Sequence, residues 1–140
     1  MDVFDRMMEL SQKGYFCAQI LLILALESEG KDCPELIRAM GGLNGGLGNS
    51  GDLCGALTGG ACFLSYFAGK GEDDELEHPD LNRMIGKLRE WFAAYTAECG
   101  GCTCRCILAG DPRSRLERCP SLIIAVLEKC TELLEEYDAL

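Results

Sequence analysis

Phe16-Cys17-Ala18-Gln19-Ile20-Leu21-Leu22-Ile23-Leu24-Ala25-Leu26-Glu27-Ser28-Glu29 is the stretch on which the fold turns. It is too long for a strand, Gly14 and Gly30 bracket it, and its apolar residues fall on every side of a helix rather than on one stripe. A helix that is apolar all round is one that other elements cover. The unbroken apolar part, Cys17 to Leu26, spans 10 residues with Gln19 inside it. That is half of the roughly 20 needed to cross a membrane, so the helix is read as the centre of a bundle.

The neighbouring segments supply the cover. Val3 to Lys13 reads as a first helix closed by Gly14, and Pro34 to Met40 as a short third, with Pro34 in the first turn where its missing N–H costs nothing. Asp52 to Ala68 is a fourth helix of small and apolar residues. Gly55, Gly59 and Gly60 each lower its intrinsic helicity by about 1 kcal/mol relative to Ala, and close approach of a neighbour is the use expected of them. His78-Pro79 opens a fifth helix whose stripe is Leu81, Met84, Ile85, Leu88, Trp91, Phe92 and Tyr95. Cys119-Pro120 opens the last, with Leu122, Ile123, Val126, Leu127, Cys130, Leu133, Leu134 and Tyr137 inward. No segment shows the alternation of a strand. The reading is all-α: one domain over residues 1–140, a bundle of five to six helices with a glycine-rich loop and a cysteine-lined pole.

The chain holds 10 cysteines in 140 residues, with Cys99, Cys102, Cys104 and Cys106 crowded together. With 48% hydrophobic residues it can bury a core without crosslinks. The start, Met1-Asp2-Val3-Phe4-Asp5-Arg6, lacks the basic and apolar regions of a secretory leader. A cytoplasmic location is therefore expected, where thiols stay reduced and such a density points to metal or redox chemistry rather than structural disulfides. The net charge of −10 makes nucleic acid and anionic membranes poor partners. A redox partner protein is expected, and a homodimer through an apolar helix face is plausible.

Four cysteines share a local setting. Cys17 lies at the start of the second helix, Cys54 in the first turn of the fourth, Cys104 at the head of the segment Cys104 to Ala109, and Cys119 at the cap of the last. A helix N-terminus stabilises a thiolate and lowers its pKa, and thiolate is the form that binds metal or attacks a disulfide. If the four converge, one pole of the bundle carries activated sulfur. Cys99-Gly100-Gly101-Cys102 adds a pair whose spacing suits either a shared metal or a cycling disulfide. Cys62 and Cys130 read as packing, and Cys33 is assigned no role.

The segments Gly14-Tyr15-Phe16-Cys17-Ala18-Gln19, Gly51-Asp52-Leu53-Cys54-Gly55-Ala56-Leu57-Thr58-Gly59, Cys104-Arg105-Cys106-Ile107-Leu108-Ala109-Gly110 and Cys119-Pro120 resemble, in order and spacing, a bacterial family described as redox-active and named for its motif, C_GCAxxG_C_C. The resemblance implies redox chemistry and assigns the family cysteines to Cys17, Cys54, Cys104 and Cys119. Cys106 departs from the pattern, and Cys99, Cys102 and Cys106 remain possible additional ligands. Three readings follow. The first is an iron–sulfur cluster or other metal held by these thiolates for electron transfer or redox sensing. The second is a metal-free thiol–disulfide exchange protein, and the third a module in which zinc is structural.

Two other signals are set aside. Gly46-Leu47-Gly48-Asn49-Ser50-Gly51 matches G-x-G-x-x-G but follows a helix rather than a strand, so no nucleotide is expected. The loop is read instead as letting backbone approach Cys54, with Asp52 helping to cap the helix. His78 is the one histidine and reads as a surface residue, leaving no Cys–His catalytic pair. Glu72 to Glu75 reads as a solvated loop.

Overall fold

In a computed structural model, residues 2–140 are described, the side chains of Pro112 and Leu116 aside. Seven α-helices follow in order: α1 (Val3–Gln12), α2 (Cys17–Ser28), α3 (Pro34–Met40), α4 (Gly55–Ala68), α5 (Leu81–Tyr95), α6 (Cys104–Ile107) and α7 (Arg115–Glu136). Among the described residues there is no strand, only an isolated antiparallel bridge between Leu53 and Thr103. The all-α architecture is the one expected. The count exceeds five to six because the short segment after Thr103 closes a full helical turn, α6.

The centre is shared by two helices. α2 buries Ala18, Ile20, Leu21, Leu22, Ala25 and Leu26, as its composition demands. α4 packs on α2, α5 and α7 together, and its pairing with α2 is the most extensive in the bundle. The glycines of α4 make this possible. A Cβ on Gly59 would stand 2.8 Å from Ala18 Cα, and one on Gly60 would stand 2.7 Å from Val126 Cγ1 and 3.0 Å from Leu88 Cδ2. Backbone therefore meets backbone between α2 and α4, while α5 and α7 close over the opposite side.

Several boundaries differ from expectation. α5 begins at Leu81, three residues after His78. The His78 imidazole accepts from the Asp80 amide (3.0 Å), while its other ring nitrogen meets the Tyr137 carbonyl (3.0 Å), fastening the loop to the end of α7. Tyr95 leaves the apolar stripe and is half exposed, stacking on Trp91 instead. α7 begins at Arg115 rather than at Cys119, which places Pro120 inside the helix. An interior proline gives up one backbone hydrogen bond and crowds the preceding turn, at a cost of about 3 kcal/mol, which the long apolar face that α7 buries beyond it offsets.

Two substitutions test the packing. Gly59→Ala gains about 1 kcal/mol of helix propensity but drives a methyl into α2 backbone, so a net loss of about 1–3 kcal/mol is expected. Gly86→Ala, in α5 with nothing within 4 Å of the new methyl, should instead stabilise. Thermal melts of the two variants should move in opposite directions.

Candidate functional site

The polypeptide around the glycine loop is shaped by an unusual run of backbone. Gly45, Gly46, Leu47, Gly48 and Asn49 all have φ between 60° and 73°. A left-handed residue with a side chain costs roughly 1–2 kcal/mol, which explains the glycines. Two of them are also crowded: a Cβ on Gly45 would fall 1.9 Å from Asn49 Oδ1, and one on Gly46 2.4 Å from the Asp52 carbonyl oxygen. The turn is closed by its own backbone bonds, Gly51 N–H to the Gly45 carbonyl (3.0 Å) and Asp52 N–H to the Gly46 carbonyl (2.9 Å). It is anchored to α2 by Gln19, whose side-chain oxygen accepts from Asn44 Nδ2 (2.9 Å) and whose Nε2 donates to the Ile37 carbonyl in α3 (3.2 Å). The one polar residue in the most apolar stretch of the chain thus fixes the loop.

The loop delivers its chain into the Leu53–Thr103 bridge. On either side of that pair, Cys54 N–H donates to the Cys102 carbonyl (2.9 Å) and Cys104 N–H to the Asp52 carbonyl (2.7 Å). Cys54 and Cys104 each directly follow a bridged residue, so the bridge holds the two segments that carry them side by side. Cys54 is the N-cap of α4, where its sulfur, rather than Asp52, accepts the Ala56 amide (3.4 Å). Asp52 turns back on the Leu53 amide (2.8 Å). Cys17, the first residue of α2, lies against Gly55, where an added Cβ would come within 2.9 Å of its sulfur.

Cys17, Cys54, Cys104 and Cys119 all line one cavity of about 340 Å³, with Gly45 in its wall. The expected convergence is therefore present. Met7, Met8, Ile20 and Ile123 supply apolar wall, and Arg113 and Arg115 supply charge. Sequence reasoning missed these six residues as part of the site. The signal for Met7 and Met8 was present in the amphipathic α1, whereas nothing in a loop arginine announces where it will point.

The electrostatics differ from the helix-terminus expectation. Burial pushes the Cys17 thiol up, and pushes Cys54 and Cys119 up to about 12; neighbouring sulfurs add to each. The backbone amides of Ala18, and of Ala56 and Leu57, act in the opposite sense on Cys17 and Cys54 but are outweighed. Cys17 and Cys119 keep some accessible surface, since they border the cavity, yet protein surrounds them closely enough for desolvation to dominate. Cys119 also lies in the second turn of α7 rather than at its cap, which removes the unpaired amides expected to help it.

The other cysteines stand apart from the cavity. Cys102 takes a hydrogen bond on sulfur from Thr96 Oγ1 (3.7 Å), and Cys99 borders a separate groove with Tyr95, Glu117 and Leu122. Cys106 follows Cys104 in α6 without lining the cavity. Cys62 is half-buried, and Cys130 is wholly buried with its sulfur against the Gly60 carbonyl (3.5 Å). Among the described residues all ten cysteines are free thiols, and no three His, Cys, Asp or Glu side chains are placed to share a single metal ion.

The C_GCAxxG_C_C family matches residues 15–133, which takes in all four cavity cysteines. The chain belongs to this family. Its description, "Putative redox-active protein (C_GCAxxG_C_C)", agrees with the chemistry that four converging thiols can support. No curated protein and no solved structure matches the chain. Among the described residues, no helix of this C_GCAxxG_C_C member is long and apolar enough to cross a membrane.

The buried thiols carry a pH dependence. In the reduced, metal-free protein, Cys130 holds its proton to about 12, against an ordinary value of 9.0. Between those values the unfolded chain has lost protons that the folded chain retains. Stability is therefore full below about pH 9 and falls as pH rises towards 12. Denaturant unfolding across this range should show that slope, and Cys130→Ala should flatten part of it.

Proposed function

We propose that this protein is a redox protein in which Cys17, Cys54, Cys104 and Cys119 together hold an iron–sulfur cluster, serving electron transfer or redox sensing. The observation that carries this reading is the convergence of the four cysteines, drawn from four separate segments, on one cavity. The donor set fits in kind, since no histidine or carboxylate competes at the cavity wall and iron–sulfur clusters are held by four thiolates. The spacing favours a cluster over a single zinc ion. Zinc draws its sulfurs to roughly 3.8 Å apart, whereas no three of these side chains are placed to share one ion. A cluster, which spans a wider gap with its own iron and sulfide, supplies one-electron chemistry when bound.

The chain's own contribution is placement and enclosure. The bridge ties the segments that carry Cys54 and Cys104 to each other, Gly55 admits the Cys17 sulfur, and Arg115 offsets negative charge at Cys17 and Cys119. With the chain at −10, a partner protein presenting a basic face is the natural electron donor or acceptor. A second reading, thiol–disulfide exchange, is favoured at one place only: Cys99 and Cys102 are partly exposed and joined by Gly100 and Gly101, both at positive φ.

Anaerobic purification or reconstitution, followed by iron and sulfide analysis and a visible spectrum, tests the proposal. A brown protein is expected, with iron content falling several-fold in Cys17→Ser, Cys54→Ser, Cys104→Ser and Cys119→Ser. It should hold in Cys99→Ser, Cys102→Ser and Cys106→Ser. Gly55→Ala, which displaces the Cys17 sulfur while keeping every thiol, should also lower iron uptake. Colourless protein without iron after reconstitution would overturn the cluster reading. Zinc that survives reductant would replace it with a structural site, and a reversible change of two thiols without metal would replace it with exchange.

A further inference from the structure

The cavity is larger and more apolar than four sulfurs require. Its volume of about 340 Å³ lies within the range of small-molecule sites, and is about twice the roughly 150 Å³ that accommodates a benzene ring. α1 contains no cysteine, yet it contributes Met7, Met8 and Ser11 to the wall. Ile20 and Ile123 extend the apolar surface from α2 and α7.

Charge at the cavity runs against the rest of the molecule. The chain carries 23 acidic and 13 basic residues, but the cavity is lined by Arg113 and Arg115 and by no carboxylate. An adjoining depression shares Arg115 and adds Arg105. Two of these arginines have partners: Arg113 pairs with Asp111 (3.1 Å), and Arg105 donates to the Ser50 carbonyl (3.0 Å). Arg115 lies over the Phe16 ring, 4.9 Å from its centroid. Among the described residues no carboxylate forms an ion pair with it. A guanidinium held over an aromatic ring still carries five N–H donors with which to grip an anion.

We infer that this cavity binds a small amphipathic anion. Its apolar body, the size of one or two fused rings or an equivalent alkyl chain, rests on Met7, Met8, Ile20 and Ile123. Its carboxylate or similar group pairs with Arg115. The same guanidinium acts on Cys17 and Cys119, so the charged end of the ligand is held beside the sulfurs. The inference goes beyond the redox reading and concerns the cavity of the reduced, metal-free chain.

Calorimetric titration of the full-length, reduced, metal-free protein with 2-naphthoate, and with its neutral counterpart 2-naphthamide, tests it. One naphthoate per chain is expected, bound more tightly than the amide. Arg115→Gln should weaken naphthoate about tenfold, the worth of a charge-assisted hydrogen bond, and leave the amide unchanged. Met8→Trp, a filling change at a partly exposed position, should weaken both. Absence of naphthoate binding to the wild-type chain would overturn the proposal. Equal affinity for the two probes, indifferent to Arg115→Gln, would do the same by showing only adventitious apolar association. Iron uptake is read separately from the visible spectrum, so loss of the anion site and loss of the cluster site are told apart.

Discussion

The cysteine pole is built on how closely α4 lies against α2. At Gly59 there is room for the Ala18 backbone and for nothing else, and one turn earlier Gly55 leaves just enough space for the Cys17 sulfur. The two glycines are four residues apart, so they fall on one face of α4. A single groove therefore seats α2 and sets Cys17 next to the cap position held by Cys54. Each glycine costs about 1 kcal/mol of helix propensity. Dense packing between the two buried helices offsets that cost, because many weak dispersion contacts are gained when backbones approach.

Placement of the remaining sulfurs follows from the backbone hydrogen bonds at the head of α4. A short helix such as α6 would be marginal alone. It is held because Cys104 and Arg105 donate to the Asp52 and Gly51 carbonyls, while the Thr103 hydroxyl caps its first turn by accepting from Cys106 N–H (3.1 Å). The left-handed loop supplies those carbonyls in the right place, and Gln19 ties the loop back to α2. Cys119 arrives independently on α7, whose inner face is fixed by Val126 and Cys130 against Gly60. Two neighbouring glycines of one helix thus serve opposite sides: Gly59 admits α2, and Gly60 admits α7.

Periodicity made most of the fold legible. The all-round apolar α2 and the stripe in α5 are sums over many residues, and such sums survive local exceptions. Boundaries rest on one or two residues, and there the reading slipped. Cys119-Pro120 looks like a cap because proline is favoured in a first turn, but Arg115 to Arg118 extend the helix ahead of it. Tyr95 lies off the buried row Leu81, Met84, Leu88 and Phe92, which runs on past it to Thr96. For the site, Cys17, Cys54 and Cys104 were legible as rare residues at helix starts, and Cys119 as part of the motif, although it lies in the second turn of α7. Arg115 was not, since its role depends on where a short loop deposits the beginning of α7, and no spacing encodes that.

The same geometry explains why Cys17 and Cys54, both at helix starts, do not have low thiol pKa values. A helix terminus offers about half a charge and falls off within a turn, whereas desolvation acts on the whole sulfur and grows with every atom packed around it. Bringing several thiols together adds mutual repulsion to any second ionisation. At Cys54 and Cys119 these effects carry the group to about 12. These two thiols therefore rest neutral at ordinary pH, which makes them sluggish nucleophiles. A metal cation reverses the balance, because a coordinated thiol is deprotonated outright. Binding of a metal at these thiols would then release protons and gain affinity as pH rises. A cavity that keeps Cys17, Cys54 and Cys119 protonated without metal accords with the cofactor reading proposed above more than with free thiol exchange, which the more open Cys99 and Cys102 would carry instead.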